Sequence, residues 1–190
     1  MTLLEKIISL QNLDNAFNIL SRQRKYYSAH DDIWDLRYNR SSYKQQIITK
    51  IKVGIFHFDP VMEYEAKNEI CYKRTARDAL VLKARSVVLN EYLTFKLGKV
   101  YHLKGHGGIY HAIRHVKDSL AKSKFVFKTD IKSYYKSINY NMLIQEIDKL
   151  VPDKQVVNLI ENSVRRTNVY GEVYWDCKIG ITQGSTLHHC

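Results

Sequence analysis

Between Phe125 and Ile138 the chain reads Phe-Val-Phe-Lys-Thr-Asp-Ile-Lys-Ser-Tyr-Tyr-Lys-Ser-Ile, and no other stretch limits its fold so tightly. Phe125, Val126, Phe127 and Thr129 are β-prone residues, which predicts a short buried strand. The strand would end at Asp130, whose neighbours of opposite charge in the sequence are Lys128 and Lys132. The pattern then breaks into Ser133, Tyr134 and Tyr135, and an Asn139-Tyr140-Asn141 cluster able to cap a following helix. Two readings fit a carboxylate in that place. It is a turn or cap residue, or it is a ligand for a hard metal ion at the end of a strand.

Length and composition bound the rest. A chain of 190 residues can hold one domain, or one domain with an extension. Hydrophobic residues make up 45% of it, enough for a core, and no apolar run approaches the length of a membrane span. The start, Met1-Thr2-Leu3-Leu4-Glu5-Lys6, lacks the basic head and apolar core of a secretion signal. Cys71, Cys177 and Cys190 are scattered, which argues against a disulfide framework or zinc ribbon and fits a reducing cytoplasm. Thirty Lys and Arg against nineteen Asp and Glu leave a net charge of +11, with fourteen tyrosines interleaved. Cations beside stacking-capable rings suit nucleic acid. A basic surface alone would equally suit an acidic protein partner.

Taken in order, residues 3–20 place Leu3, Leu4, Ile7, Ile8 and Phe17 at helical spacing, with Asn12 and Asp14 as the expected interruption. A basic cluster, 21–27, ends in Tyr26 and Tyr27 and reads either as a solvated face or as a binding surface. Residues 31–51 predict a second helical region capped by Asp31 or Asp32, with Trp34 as a packing anchor. Residues 53–59 predict a strand ended by Pro60. The longest helical pattern is 75–97, opening on Arg77-Asp78. Three glycines, Gly105, Gly107 and Gly108, precede another helical run, and read as a turn or as a close backbone approach to a ligand. His102, His106, His111 and His115 are tempting as zinc ligands, but no H-E-x-x-H occurs and no cysteine is paired with them, which argues against a metal site there. Helices are predicted over 141–150 and from Val156 to Arg166, and two short strands around Gly171.

Asp130-Ile131-Lys132-Ser133-Tyr134-Tyr135-Lys136-Ser137-Ile138 resembles the first palm motif of reverse transcriptases, and most closely the D-I-K-x-aromatic-aromatic-x-x-I pattern of bacterial group II intron, retron and defence-associated members. Gly180-Ile181-Thr182-Gln183-Gly184-Ser185, about fifty residues on, resembles the second palm motif, G-(I or L)-x-(Q or R)-G. Either alone is a weak signal, but their order and spacing together make a strong one. The resemblance extends from about residue 20 to the end. It implies an α+β right-hand polymerase fold: a helical extension over 1–52, fingers over 53–120 and a partial palm over 121–190, without the thumb. Glu63–Tyr72 would then be a hairpin over the incoming nucleotide. Lys67, Lys73 and Arg74 are the basic residues there that could reach a triphosphate, and the sequence does not separate them.

The activity implied is RNA-directed DNA synthesis, a phosphoryl transfer in which positioning and charge stabilisation carry most of the catalysis. Two Mg²⁺ ions would serve the complete enzyme, and Asp130 with the Ile131 carbonyl would supply oxygen ligands. Tyr135 would lie under the sugar and exclude a 2′ hydroxyl, with Gln183 and Gly184 beside the nucleotide and template. The implied partners are an RNA template, a DNA or RNA primer and dNTPs, with no membrane. Oligomeric state is open. Two further aspartates that the family carries in a (Y/F)-x-D-D motif do not occur in the sequence, and Thr186–Cys190 departs from the family's P-L-S-P. The resemblance therefore leads to the expectation of a piece of a longer protein, inactive by itself. A nucleic-acid-binding remnant without turnover is the alternative, and an unrelated basic α+β interaction domain the third.

Overall fold

The computed structural model describes residues 1–66, 68–97, 100–101, 106–120 and 122–181. Its centre is a helix that the sequence marks by an apolar pattern on nearly every side. Helix α1 (Leu3–Ile7) starts in a capping box between Thr2 and Glu5, and α2 (Leu10–Gln23) is capped by the Ser9 hydroxyl. The break between them falls at Ile8 and Ser9 rather than at Asn12 and Asp14. Asn12 instead fastens the break, since its Nδ2 donates to the Ile7 carbonyl at 2.8 Å and to the Ala84 carbonyl at 3.0 Å.

The region read as one helix over 31–51 is two, α3 (Ile33–Tyr38) and α4 (Arg40–Val53). Asp32 occupies the N-cap position of α3 without a side-chain cap bond, and its carboxylate accepts from the Ala76 N–H at 2.5 Å instead. Asp31 accepts from the Ile33 N–H at 3.0 Å. The strand expected over 53–59 is absent. Val53 still belongs to α4, Gly54 ends that helix in the left-handed region, and the strand β1 (Val61–Ala66) begins only after Pro60. The apolar residues of 53–59 serve packing instead, with Phe56 buried and set edge-on to Phe58 at 5.1 Å.

β1 pairs antiparallel with β2 (Glu69–Lys73), forming the expected hairpin, with Asn68 in the left-handed region at its turn. Helix α5 (Ala76–Lys96) follows, capped by the Thr75 hydroxyl, and buries Leu80, Val81, Ala84, Arg85 and Val88 among others. Its main partner is the stripe Leu13, Ala16, Phe17 and Leu20 of α2, spaced one turn apart so that all four face it. Leu13, Phe17 and Leu20 each contribute about 1.5–3 kcal/mol by leaving water. Helix α6 (Gly108–Leu120) buries none of its residues. After the short α7 (Tyr134–Ser137) come α8 (Tyr140–Leu150), α9 (Lys154–Val164) and the hairpin β3 (Thr167–Tyr170) and β4 (Val173–Asp176). The Leu4 N–H donates to Asp153, the residue that also caps α9, so the two ends of the helical layer close on each other.

The four strands make one mixed sheet in the order β2-β1-β3-β4, with β1 and β3 parallel. Parallel strands need a long crossover, and here it runs through α5 to α9. No helix among the described residues is long and apolar enough to cross a membrane.

Candidate functional site around Asp130 and Gly180

The stretch that constrained the sequence reading most is not built as expected. Residues 125–130 have no regular secondary structure and no ladder partner among the described residues. Phe125 and Phe127 are each 90% exposed and Val126 is 71% exposed. The predicted buried strand is therefore corrected to an exposed, unpaired segment. The physical reason is that a β-prone sequence becomes a strand only when a neighbour takes its N–H and C=O groups. Asp130 and Ile131 are exposed with it.

Order returns at Ser133, which sits in the left-handed region (φ 55) and accepts from the Lys136 and Ser137 N–H groups at 2.9 and 3.1 Å. This closes a tight turn after Asp130. Tyr134 and Tyr135 meet edge to face with centroids 5.3 Å apart, Tyr134 exposed and Tyr135 half-buried. Asn139 then caps α8, its side chain accepting from the Asn141 and Met142 N–H groups, as the sequence indicated.

The two motifs, about fifty residues apart in sequence, meet here. The Ile181 N–H donates to the Tyr135 carbonyl at 2.8 Å, and the Gly180 N–H to the Ile138 carbonyl at 2.9 Å. Two backbone bonds from adjacent residues, accepted by carbonyls three residues apart, lock the turn after Asp130 onto the start of the second motif. The Gly180 carbonyl in turn accepts from the Tyr140 hydroxyl at 2.6 Å and from Arg166 Nη1 at 2.9 Å. Arg166 Nη1 also donates to the Tyr140 hydroxyl at 3.2 Å. Burial pushes the Tyr140 phenol above its usual pKa, with Arg166 opposing the shift. Neither residue was singled out from the sequence: Tyr140 looked like part of a cap cluster and Arg166 like a charged helix end.

The other expected residues scatter. Lys67, Gln183 and Gly184 lie outside the described residues. Lys73 turns inward to Asp31 at 2.6 Å. Arg74 is mostly buried, donates from Nη2 to the Ser163 carbonyl at 3.1 Å, and has its pKa lowered to about 10 by burial and by nearby Arg166. Arg74 is committed to the interior and Lys73, still partly exposed, to an ion pair with a buried carboxylate. Asp78 also serves the fold: fully buried, it accepts from the Asp59 N–H at 2.6 Å and from Arg77, and burial raises its pKa.

The surface around Asp130 is basic, with Lys124, Lys128, Lys132 and Lys136 all exposed. No group of three or more His, Cys, Asp or Glu side chains able to hold a metal ion occurs among the described residues. Asp130 is a single exposed carboxylate, and the described residues do not build a two-magnesium centre. They build a docked turn beside a cationic, aromatic-edged surface, able to bind and orient a polyanion.

No protein-family model matches the chain, and no curated protein matches it. Solved structures do. The chain resembles one chain of a "Partial Cas6-RT-Cas1–Cas2 complex" with a TM-score of 0.64 and 16% identity, over 98% of this chain and 32% of that one. A chain of the Cas6-RT-Cas1–Cas2 complex gives the same score and identity, over 98% of this chain and 20% of that one. This chain thus spans about a third and a fifth of those proteins. At that identity the likeness is one of fold: a mixed α+β arrangement shared with part of a protein from a complex that contains a reverse transcriptase.

Proposed function

We propose that the chain is the fingers and first part of the palm of an RNA-directed DNA polymerase, with 1–52 as a helical extension, 53–120 as fingers and 121–190 as palm. The observation that carries this is the pair of backbone bonds, Ile181 to Tyr135 and Gly180 to Ile138, which join the two motifs the family would hold side by side. The shared fold supports it. Within a whole protein, the chain's part would be to hold an RNA template, a DNA or RNA primer and a dNTP, in the cytoplasm. Lys124, Lys128 and Lys132 would neutralise phosphates. Tyr135 would stand under the sugar, and Gln183, Gly184 and Lys67 would line the nucleotide. Asp130 and the Ile131 carbonyl would be this chain's share of a magnesium site that its described residues leave incomplete.

Nucleotidyl transfer is the activity of the whole protein on this reading, and the isolated chain binds without turning over. Primer extension with purified chain, Mg²⁺, an RNA template and dNTPs is expected to show nothing above a mock preparation. Template–primer binding by the same sample is expected to be clear. Extension that disappears in Asp130→Ala would show that the chain is catalytically complete, against the proposal. Absent binding would remove the nucleic-acid reading. A non-catalytic binding protein is the second reading, favoured by the solitary Asp130. It predicts that a longer version carrying the remaining palm also binds without extending.

A further inference from the structure

We propose that Arg166 and Tyr140 are positioning residues for the nucleotide site, holding the second motif against the turn that carries Tyr135. What they position rests on the polymerase reading, whereas the holding itself is visible in the bonds. Tyr140 is 3% and Arg166 8% exposed, so neither side chain lies open to a phosphate. Both converge on the Gly180 carbonyl oxygen, from 2.6 Å for the Tyr140 hydroxyl and 2.9 Å for Arg166 Nη1. A guanidinium has donors only, so its 3.2 Å bond to the Tyr140 oxygen turns the hydroxyl proton toward Gly180. The network thus has one orientation. From Gly180 it runs on to the turn, through the Gly180 N–H to Ile138 and the Ile181 N–H to Tyr135. Arg166 itself is fixed at the foot of the β3–β4 hairpin, where its carbonyl accepts from the Cys177 N–H at 3.0 Å.

Two features set positioning apart from space-filling. A buried cation is a costly filler. Among the described residues no carboxylate forms an ion pair with Arg166. Nearby Arg74 has its pKa pushed down to about 10 by burial and by the Arg166 charge. A neutral side chain of similar volume would pack there at less cost. What the guanidinium adds is a planar set of donors that holds a carbonyl and a hydroxyl at once, through bonds about twice as strong as neutral ones. The second feature is the weakness of the alternative. A segment fastened by two backbone bonds opens locally at far less cost than the whole fold. A ring that stands under a sugar has to be held to within about 0.5 Å. The bonds from Tyr140 and Arg166 supply that restraint from behind the motif, on the side away from any ligand of the turn.

Amide hydrogen exchange, urea unfolding and template–primer titration of the full chain test this in Tyr140→Phe and Arg166→Met. Tyr140→Phe loses one hydroxyl and keeps the ring, so it decides the matter if Arg166→Met fails to fold. The Gly180 and Ile181 amides are expected to exchange about tenfold faster or more, while those of Ala16 in α2 and Ala84 in α5 follow only the change in global stability. Template–primer affinity is expected to fall about threefold or more through misplacement of the site. The salt slope should stay unchanged, because no phosphate contact is lost. Lys128→Ala should give the reverse signature, a shallower slope with the Gly180 and Ile181 amides still protected. Equal acceleration at Ala84 and Ile181 would show a merely structural role and overturn the proposal. Unaltered exchange at Gly180 and Ile181 would overturn it too, as would a slope about one unit shallower in Arg166→Met, the mark of a direct phosphate contact. A parent chain that binds no template–primer removes the polymerase reading instead, and the exchange at Gly180 and Ile181 then still decides whether Tyr140 and Arg166 hold the motif.

Discussion

Gly180 approaches Lys136 so closely that a Cβ placed on the glycine would stand 2.8 Å from the Lys136 carbonyl oxygen. Its φ of +78 adds a conformational reason for glycine. Both facts come from the same event, the docking of the second motif against the turn after Asp130. Gly180→Ala must push backbone away from backbone, so it is expected to cost about 2 kcal/mol. Gly54→Ala is the control, since Gly54 has a similar φ of +80 but open space around it; it should cost about 1 kcal/mol, the strain of the left-handed region alone. Urea unfolding of the two variants reads the difference, and equal losses would mean that the close approach does not matter.

Adjacent carboxylates Asp31 and Asp32 should answer pH in opposite senses. Burial presses the Asp31 pKa up, but the hydrogen bonds from Lys73, the Ile33 N–H and Asp32 outweigh it and leave the group below 3.8. Burial, aided by Asp31 itself, raises Asp32 above 3.8 despite the Ala76 N–H. A depressed carboxyl stabilises the fold above its unfolded pKa and loses that contribution as pH falls through its folded value. Asp31→Asn is therefore expected to destabilise by about 2 kcal/mol at neutral pH, with the gap to the parent closing below pH 3.8. Asp32→Asn keeps an acceptor for the Ala76 N–H and removes a disfavoured charge, so its loss should stay within about 0.5 kcal/mol. Chemical denaturation at neutral and acid pH decides; an Asp32→Asn loss as large as that of Asp31→Asn would contradict the assignment.

Binding of an RNA template–primer should depend steeply on salt. If about six phosphates are neutralised, the slope of log affinity against log salt is about −4 to −5. Lys128→Ala should make it shallower by about one unit. Filter binding across a salt series measures this, and a flat response would rule out phosphate contacts as the source of affinity.

Tyr135 is half-buried with its carbonyl tied to Ile181, while Tyr134 is more exposed. On the proposed function, Tyr135→Val in the whole protein is expected to raise the kcat/KM for ribonucleotides relative to deoxynucleotides, and Tyr134→Ala is not. Removing a clash with a 2′ hydroxyl helps one substrate alone, whereas a loosened core harms both. An unchanged ratio in Tyr135→Val would show that the ring does not face the sugar.

The local rules in the sequence were enough for most of the helices and for the hairpin around Gly171, whereas the hairpin within Glu63–Tyr72 was expected only from the resemblance. Asn139 caps a helix where the pattern placed it, α5 begins beside the start of the longest helical pattern, and Gly171 turns a hairpin between β3 and β4. Such features depend on residues a few positions apart, and their energies are decided within one turn. The two palm-like motifs were legible for the same reason. What they do was not. The strand expected at Phe125–Thr129 lacks a ladder partner among the described residues, and backbone pairing is a property of two segments rather than one. The inward turn of Lys73 and Arg74 follows from Asp31 and Ser163, which lie far off in the chain. Likewise the Arg166–Tyr140–Gly180 clamp joins α8, the start of β3 and the second motif. The sequence by itself determined which stretches are helical and which motifs the chain carries. Only the tertiary structure decided which carbonyl each N–H meets and which cations remain free for a polyanion, because those choices are made by whatever the fold brings within about 3 Å.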